Sequence, residues 1–179
     1  MNEQEISAQP SEVKQLFDAL TAQSGRKPEP PNNAPDKFGA AKNLPASYIE
    51  FMSLTDGWDE VGAGYIYGTA VGKNKDNMFV YTNEECKKDI EKYFYDLYDG
   101  EFKADDFTFF ADDGMGGYYA FSKSERDEKV FYFDHDSPGT VTIYPDFVRW
   151  LKYKCKSDCL FMPDCITVQT AAKKAIWAA

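Results

Sequence analysis

The stretch FADDGMGGYYAF, residues 110 to 121, sets Asp112 and Asp113 beside three glycines, and DHDSPG sets Asp134 and Asp136 around the sole histidine, His135. Carboxylates gathered in this way can hold a cation, or can divide the acid and base roles of glycoside hydrolysis. Each reading meets an obstacle. DHDSPG places Asp134, Asp136 and Gly139 at positions 1, 3 and 6 of a calcium loop, but positions 5 and 12 are Pro138 and Pro145, so two of the usual oxygen ligands are missing. A carboxylate hydrolase needs its pair to converge, whereas adjacent aspartates on an extended strand point to opposite faces. Asp and Gly are also what a tight hairpin asks for on conformational grounds, because Gly supplies positive φ and Asp bonds its own backbone. A serine or cysteine nucleophile would have to borrow His135, and no GxSxG frame surrounds any serine. Cys155, Cys159 and Cys165 are separated by three and five residues, which is not a zinc CxxC pair, and with Cys86 they read as free thiols. No metal and no cofactor is expected.

The elements that position these aspartates can be read from periodicity. In SEVKQLFDALTAQS, Val13, Leu16, Phe17 and Leu20 share one helical face and Ser11 stands as N-cap. Residues 25–43 carry four prolines and read as a long irregular connection. LPASYIEFMSLTDG predicts a short helix with Pro45 at its start, Tyr48, Phe51 and Met52 on one face, and Gly57 as its stop. WDEVGAGYIYG predicts a glycine-rich turn leading into a strand around Tyr65 to Tyr67. Its glycines, at 62, 64 and 68, miss the GxGxxG phosphate loop by one residue. MFVY, residues 78 to 81, predicts a strand, and a helix follows it from a Thr82 to Glu85 capping box to Gly100. From residue 107, FTFFA, GYYAF, KVFYF and TVTIY predict a four-stranded antiparallel meander. YPDFVRWLKYKC then predicts a helix with Pro145 in its first turn, and the segment from 155 to 179 gives only a weak helical signal near its end.

The expected fold is therefore α+β, a single domain over residues 1–179 with a mostly antiparallel sheet and helices packed on one side. The chain's 43% hydrophobic and 16% aromatic content is that of a folding chain. A net charge of −10, from 20 basic and 30 acidic residues, repels nucleic acid and anionic lipid. With no apolar run long enough to cross a bilayer and no secretory pattern at the N-terminus, a cytoplasmic location is expected, away from membranes. The acid is concentrated: residues 101–136 hold ten acids and four bases, while residues 137–179 hold three and six. Such a face suits a basic partner.

In order along the chain, LPASYIEFMSLTDG, GYIYG, FTFFADDGMGGYYAF and KVFYFDHDSPGTVTIYPDFVRWLK resemble the pattern of the SUKH superfamily, the group of Smi/Knr-type cell-wall-assembly regulators and bacterial toxin-immunity proteins. The resemblance spans residues 44–151. Leu44, Pro45, Tyr48, Phe51 and Gly57 match its helix motif, and Asp113, Gly114 and Gly117 match its turn, with Gly116 as an extra glycine. It implies a non-catalytic α+β module that binds protein.

On this reading the aspartates Asp112, Asp113, Asp134 and Asp136 rim a recognition surface, with Trp58, Tyr65, Tyr67, Tyr118 and Tyr119 as aromatic anchors nearby. The alternative is that the aromatics belong to the core. The partner implied is a protein, most simply a basic toxin domain whose approach acidic charge would steer. A regulatory scaffold and a carboxylate hydrolase are the competing functions.

Overall fold

The computed structural model describes residues 10–24, 28–34, 36–39, 41, 43–61, 64–69, 78–94, 103–124, 128–137, 140–155 and 166–169. Alternating apolar residues in residues 107–144 form β3 (Phe107–Asp112), β4 (Tyr118–Ser122), β5 (Val130–Phe133) and β6 (Thr140–Tyr144), joined as the expected meander. Three short strands extend it. β1 (Trp58–Val61) and β2 (Gly64–Ile66) form a hairpin that pairs with the end of β3, and β7 (Ile166–Gln169) pairs with β6. The result is one seven-stranded antiparallel sheet in strict sequence order, the topology that loop closure makes cheapest. WDEV is thus a strand rather than part of a turn, and the segment beyond Cys155 supplies a sheet edge. The C-terminal helix expected near residue 179 lies outside the described residues, as do Cys159, Cys165, Leu97 and Gly100.

The helices follow their capping signals. Ser11 Oγ accepts from Lys14 N at 3.1 Å and opens α1 (Glu12–Ser24). Pro45 caps α2 (Ala46–Leu54), and Asp146 Oδ1 accepts from Arg149 N at 2.7 Å to open α4 (Phe147–Lys154), one residue beyond Pro145. MFVY is the exception. It is the first turn of α3 (Met78–Phe94), where Phe79 is buried while Val80 and Tyr81 are exposed, and the predicted Thr82 to Glu85 box falls inside the helix.

Alternation along the strands assigns the two faces. Phe110, Tyr119 and Phe121 point toward α2 and α4, where Phe110 stacks on Phe121 at 4.2 Å and meets Trp150 edge-on at 5.0 Å. Tyr48 fills the centre of this layer, 5.0 Å from Phe121 and 5.3 Å from Phe147. α1 closes it, with Phe17 edge-on to Phe51 and Trp58. α3 is placed differently from the one-sided packing expected of all the helices. β2 pairs only with the end of β3, and beside it Asn83 Nδ2 on α3 donates to the Phe109 carbonyl at 2.7 Å. From that edge α3 reaches the opposite face, where Asp89 accepts from Tyr118 Oη at 3.0 Å. The proline-rich connection is stitched rather than loose: the Glu29 carbonyl accepts from Asp56 N, and Asn32 Nδ2 donates to Thr69 Oγ1.

Tyr48 is fully buried and its hydroxyl has no hydrogen-bond partner among the described residues, so its ionisation is pushed far up by desolvation and by Asp56. An orphaned buried hydroxyl costs about 1–3 kcal/mol. Tyr48→Phe should therefore keep the packing and leave stability unchanged or raise it by about 1 kcal/mol in urea denaturation. A loss of similar size would mean that the hydroxyl has a partner.

Candidate functional site: two acidic turns at one end of the sheet

The β3–β4 turn is built around one side chain. Asp113 N donates to the Gly117 carbonyl at 3.0 Å, and Asp113 Oδ1 accepts from Met115 N at 2.8 Å and Gly117 N at 2.9 Å. Its Oδ2 accepts from Tyr132 Oη on β5 at 2.7 Å, so the turn is clasped to the second strand along. Asp112 Oδ1 accepts from Gly114 N at 2.8 Å in a smaller turn of the same kind. Gly114 and Gly116 take φ of +74° and +101°, which only glycine adopts without strain.

Gly116 also fixes the neighbouring turn. A Cβ there would lie 2.6 Å from His135 Nδ1, so the missing side chain is what lets the His135 ring pack against the β3–β4 turn. On that second turn Asp134 Oδ1 accepts from Asp136 N at 2.9 Å, and His135 Nε2 lies 3.1 Å from Asp136 Oδ1. The four aspartates thus occupy two adjacent turns at one end of the sheet. Asp134, His135 and Asp136 bring one ligand-type atom each within 4.8 Å of one another, gathered by the Asx turn and the His135–Asp136 contact.

The charges differ in kind. Burial opposes the ionised form of Asp113, but the Tyr132 hydroxyl and the two backbone N–H groups outweigh it and hold its carboxyl below the usual carboxylate range. Asp112 goes the other way, because burial dominates the Gly114 N–H and the Tyr67 hydroxyl. Behind them, Lys154 Nζ lies 4.6 Å from the Tyr119 ring centre and 5.6 Å from that of Trp150, and burial pushes it down to about 8 despite the two aspartates.

The aromatic anchors divide. Trp58 is 2% exposed and Tyr67 7%, and both belong to the core: the β1–β2 hairpin turns them inward, where Trp58 meets Phe17 and Tyr67 Oη lies 3.3 Å from Cys86 Sγ. Tyr119 is core as well, its ring tilted against that of Tyr132 at 4.7 Å. Tyr118 is half-buried on the opposite face and held by Asp89. Tyr65 is exposed at the sheet end, opposite Asp112 in the β2–β3 register. Sequence reasoning missed three residues of the site. Met115, at the tip of the turn, is 75% exposed. Tyr132 and Lys154 complete the set, and the alternation of VFYF with the i, i+4 spacing of Trp150 and Lys154 were the signals available for them.

Residues 36–153, more than half of the chain, match the family described as SMI1 / KNR4 family (SUKH-1). The chain belongs to this family. Comparison with curated proteins and with solved structures gives no match. The SUKH-1 match runs from the end of the proline-rich connection to the penultimate residue of α4, so it contains the whole meander and both acidic turns. α1 and β7 lie outside it and extend the SUKH-1 core at the helical layer and at the β6 edge.

Proposed function

We propose that this SUKH-1 chain is a non-catalytic protein-binding module of the cytoplasm, an immunity protein whose acidic turns receive a basic toxin domain. One observation carries the reading: four carboxylates stand on two turns locked to each other by Gly116 on His135 and by Asp113 on Tyr132, so the negative charge is displayed on a rigid support. Preorganised charge costs little ordering entropy on binding, and it steers association of an oppositely charged partner. The net charge of −10 adds a long-range field of the same sign. The Asp113 carboxylate is spent on the turn itself, which leaves Asp134 and Asp136 as the residues that can be neutralised without loosening the structure.

Asp134→Asn with Asp136→Asn retains the oxygen that accepts from Asp136 N and removes two charges. In stopped-flow association with the basic toxin domain that this reading assigns as its partner, the double variant should bind about tenfold more slowly at low salt, the scale of steering charges. The difference should shrink as the Debye length falls toward about 8 Å near physiological salt. Equal rates for both proteins at every salt concentration would remove the acidic turns from the interface.

A further inference from the structure

β7 ends where one of the acidic turns begins. Its last residue, Gln169, pairs with Thr140, the first residue of β6. Thr140 N donates to the Ser137 carbonyl at 2.9 Å, and Ser137 N donates to that of Asp134 at 3.2 Å, so Gln169 flanks the turn that carries Asp134 and Asp136. Past Gln169 the chain continues as TAAKKAIWAA, residues 170–179, which lie outside the described residues. This stretch holds Lys173 and Lys174, no acid, and two large apolar side chains, Ile176 and Trp177.

The distances and the chemistry both suit the acidic turns. Neighbouring strands lie about 4.8 Å apart, so β3, four strands away from β7, is roughly 19 Å from it. An extended chain covers about 3.3 Å per residue, which carries Lys173 and Lys174 to the β5–β6 turn and Trp177 as far as the β3–β4 turn. Two lysines then face two aspartates, Asp134 and the exposed Asp136. The apolar part is matched as well. Met115 is 75% exposed at the tip of the β3–β4 turn, with Tyr65 at 42% on the neighbouring strand, and a methionine sulfur favours contact with an aromatic ring. A second copy is a poorer occupant, because each chain carries a net charge of −10.

We propose that residues 170–179 lie across the two acidic turns of their own chain, with Lys173 and Lys174 against Asp134 and Asp136 and Trp177 against Met115, and that a basic partner displaces them when it binds. This contact rests on the acidic turns already assigned to a basic partner, and it names the ligand chemistry they take: a lysine pair followed by an aromatic side chain. Exposed ion pairs are individually weak, and the contact is populated because the tether holds the tail near the turns at an effective concentration in the millimolar range.

In 15N-correlated spectra of the full chain, Lys173→Gln with Lys174→Gln should shift the amides of Met115, Gly116, His135 and Asp136. The difference should shrink as salt is raised toward 1 M, where the Debye length is about 3 Å. In an Asp134→Asn, Asp136→Asn background the same lysine changes should leave those amides unmoved. The peptide TAAKKAIWAA, acetylated and amidated, should give saturable shifts at the same positions of the lysine variant with a Kd of about a millimolar, and should bind the parent about threefold or more weakly, because the parent's own tail competes. Lysine-variant shifts confined to β7, or equal peptide affinity in parent and variant, would overturn the proposal. So would differences that grow with protein concentration, which would place the tail on a second copy. None of these readouts involves a toxin domain, so a negative result here leaves the association experiment with that domain standing, and equal association rates there leave this contact standing.

Discussion

Gly117→Ala should lower the stability of this chain by about 2–4 kcal/mol, although its backbone conformation is open to any residue. The cause is the Asp113 clasp. A Cβ at Gly117 would lie 2.5 Å from both Asp113 Oδ2 and Tyr132 Oη, inside the bond those two atoms make with each other. Neither can yield cheaply. The carboxylate also accepts from Met115 N and Gly117 N, and the Tyr132 ring lies against Tyr119 at 4.7 Å, so the methyl group must break at least one charge-assisted hydrogen bond. The coupling can be isolated. Tyr132→Phe removes one of the three clashing atoms, leaving the ring Cε2 at 2.6 Å and the carboxylate, and the double variant should be more stable than the sum of the two single losses by about 1 kcal/mol. Strict additivity in urea unfolding would show that the methyl is accommodated by backbone movement instead, and the turn would lose its claim to rigidity.

The parts of this fold that could be read in the sequence are those whose period is long enough to exclude alternatives. α1 and α2 present three or four apolar residues at helical spacing behind a cap, and the meander alternates for four strands in succession. MFVY could not be assigned that way, because a four-residue apolar run fits a strand and a buried first helical turn equally well. What decides it is tertiary: the helical turn buries Phe79, and Asn83 one turn on donates to the Phe109 carbonyl of β3. β7 has no strong pattern of its own and exists as a strand because β6 offers it an edge, with Val168 opposite Val141 and Thr167 opposite Thr142.

The acidic turns were legible for the same reason that hairpins are: Asp and Gly have few other uses between alternating strands. The aromatics beside them were not. Tyr65 and Tyr67 stand two residues apart on the same side of the chain, yet one is exposed and the other is buried against Cys86, so alternation could not decide which faces solvent, and what covers each of them does. Lys154 was invisible because a lysine near the end of an amphipathic helix reads as solvated. Only the neighbouring sheet, with Tyr119 in the place where water would be, makes it half-buried.

Lys154→Met should raise stability at neutral pH, by about 1–2 kcal/mol, and the gain should disappear in alkali. In the folded chain burial lowers the Lys154 ammonium from 10.5 to about 8, against the opposing pull of Asp113 and Asp112. Below pH 8 both folded and unfolded chains carry the proton, and the folded state bears the full cost of a cation it would release more readily. At about 1.4 kcal/mol per pH unit of displacement that cost is at most about 3.5 kcal/mol, and methionine gives back part of it by losing about 0.5–1 kcal/mol of cation–π attraction to Tyr119 and Trp150. As pH rises from about 8 to 10.5, the unfolded chain binds more protons than the folded one, so the parent protein recovers stability relative to the variant. Other groups act in the opposite direction. Burial pushes the Cys86 thiol up to about 12 and Cys155 to about 11, so thiol ionisation in the unfolded state lowers the stability of both proteins as pH rises past the ordinary thiol range. The raised tyrosines add the same sign at higher pH. These contributions are common to parent and variant and cancel in the difference. Urea unfolding of both at pH 7, 8, 9 and 10 should show the advantage of methionine shrinking steadily toward zero. A constant difference across that range would mean that Lys154 is solvated and that the Tyr119 ring merely lies beside it.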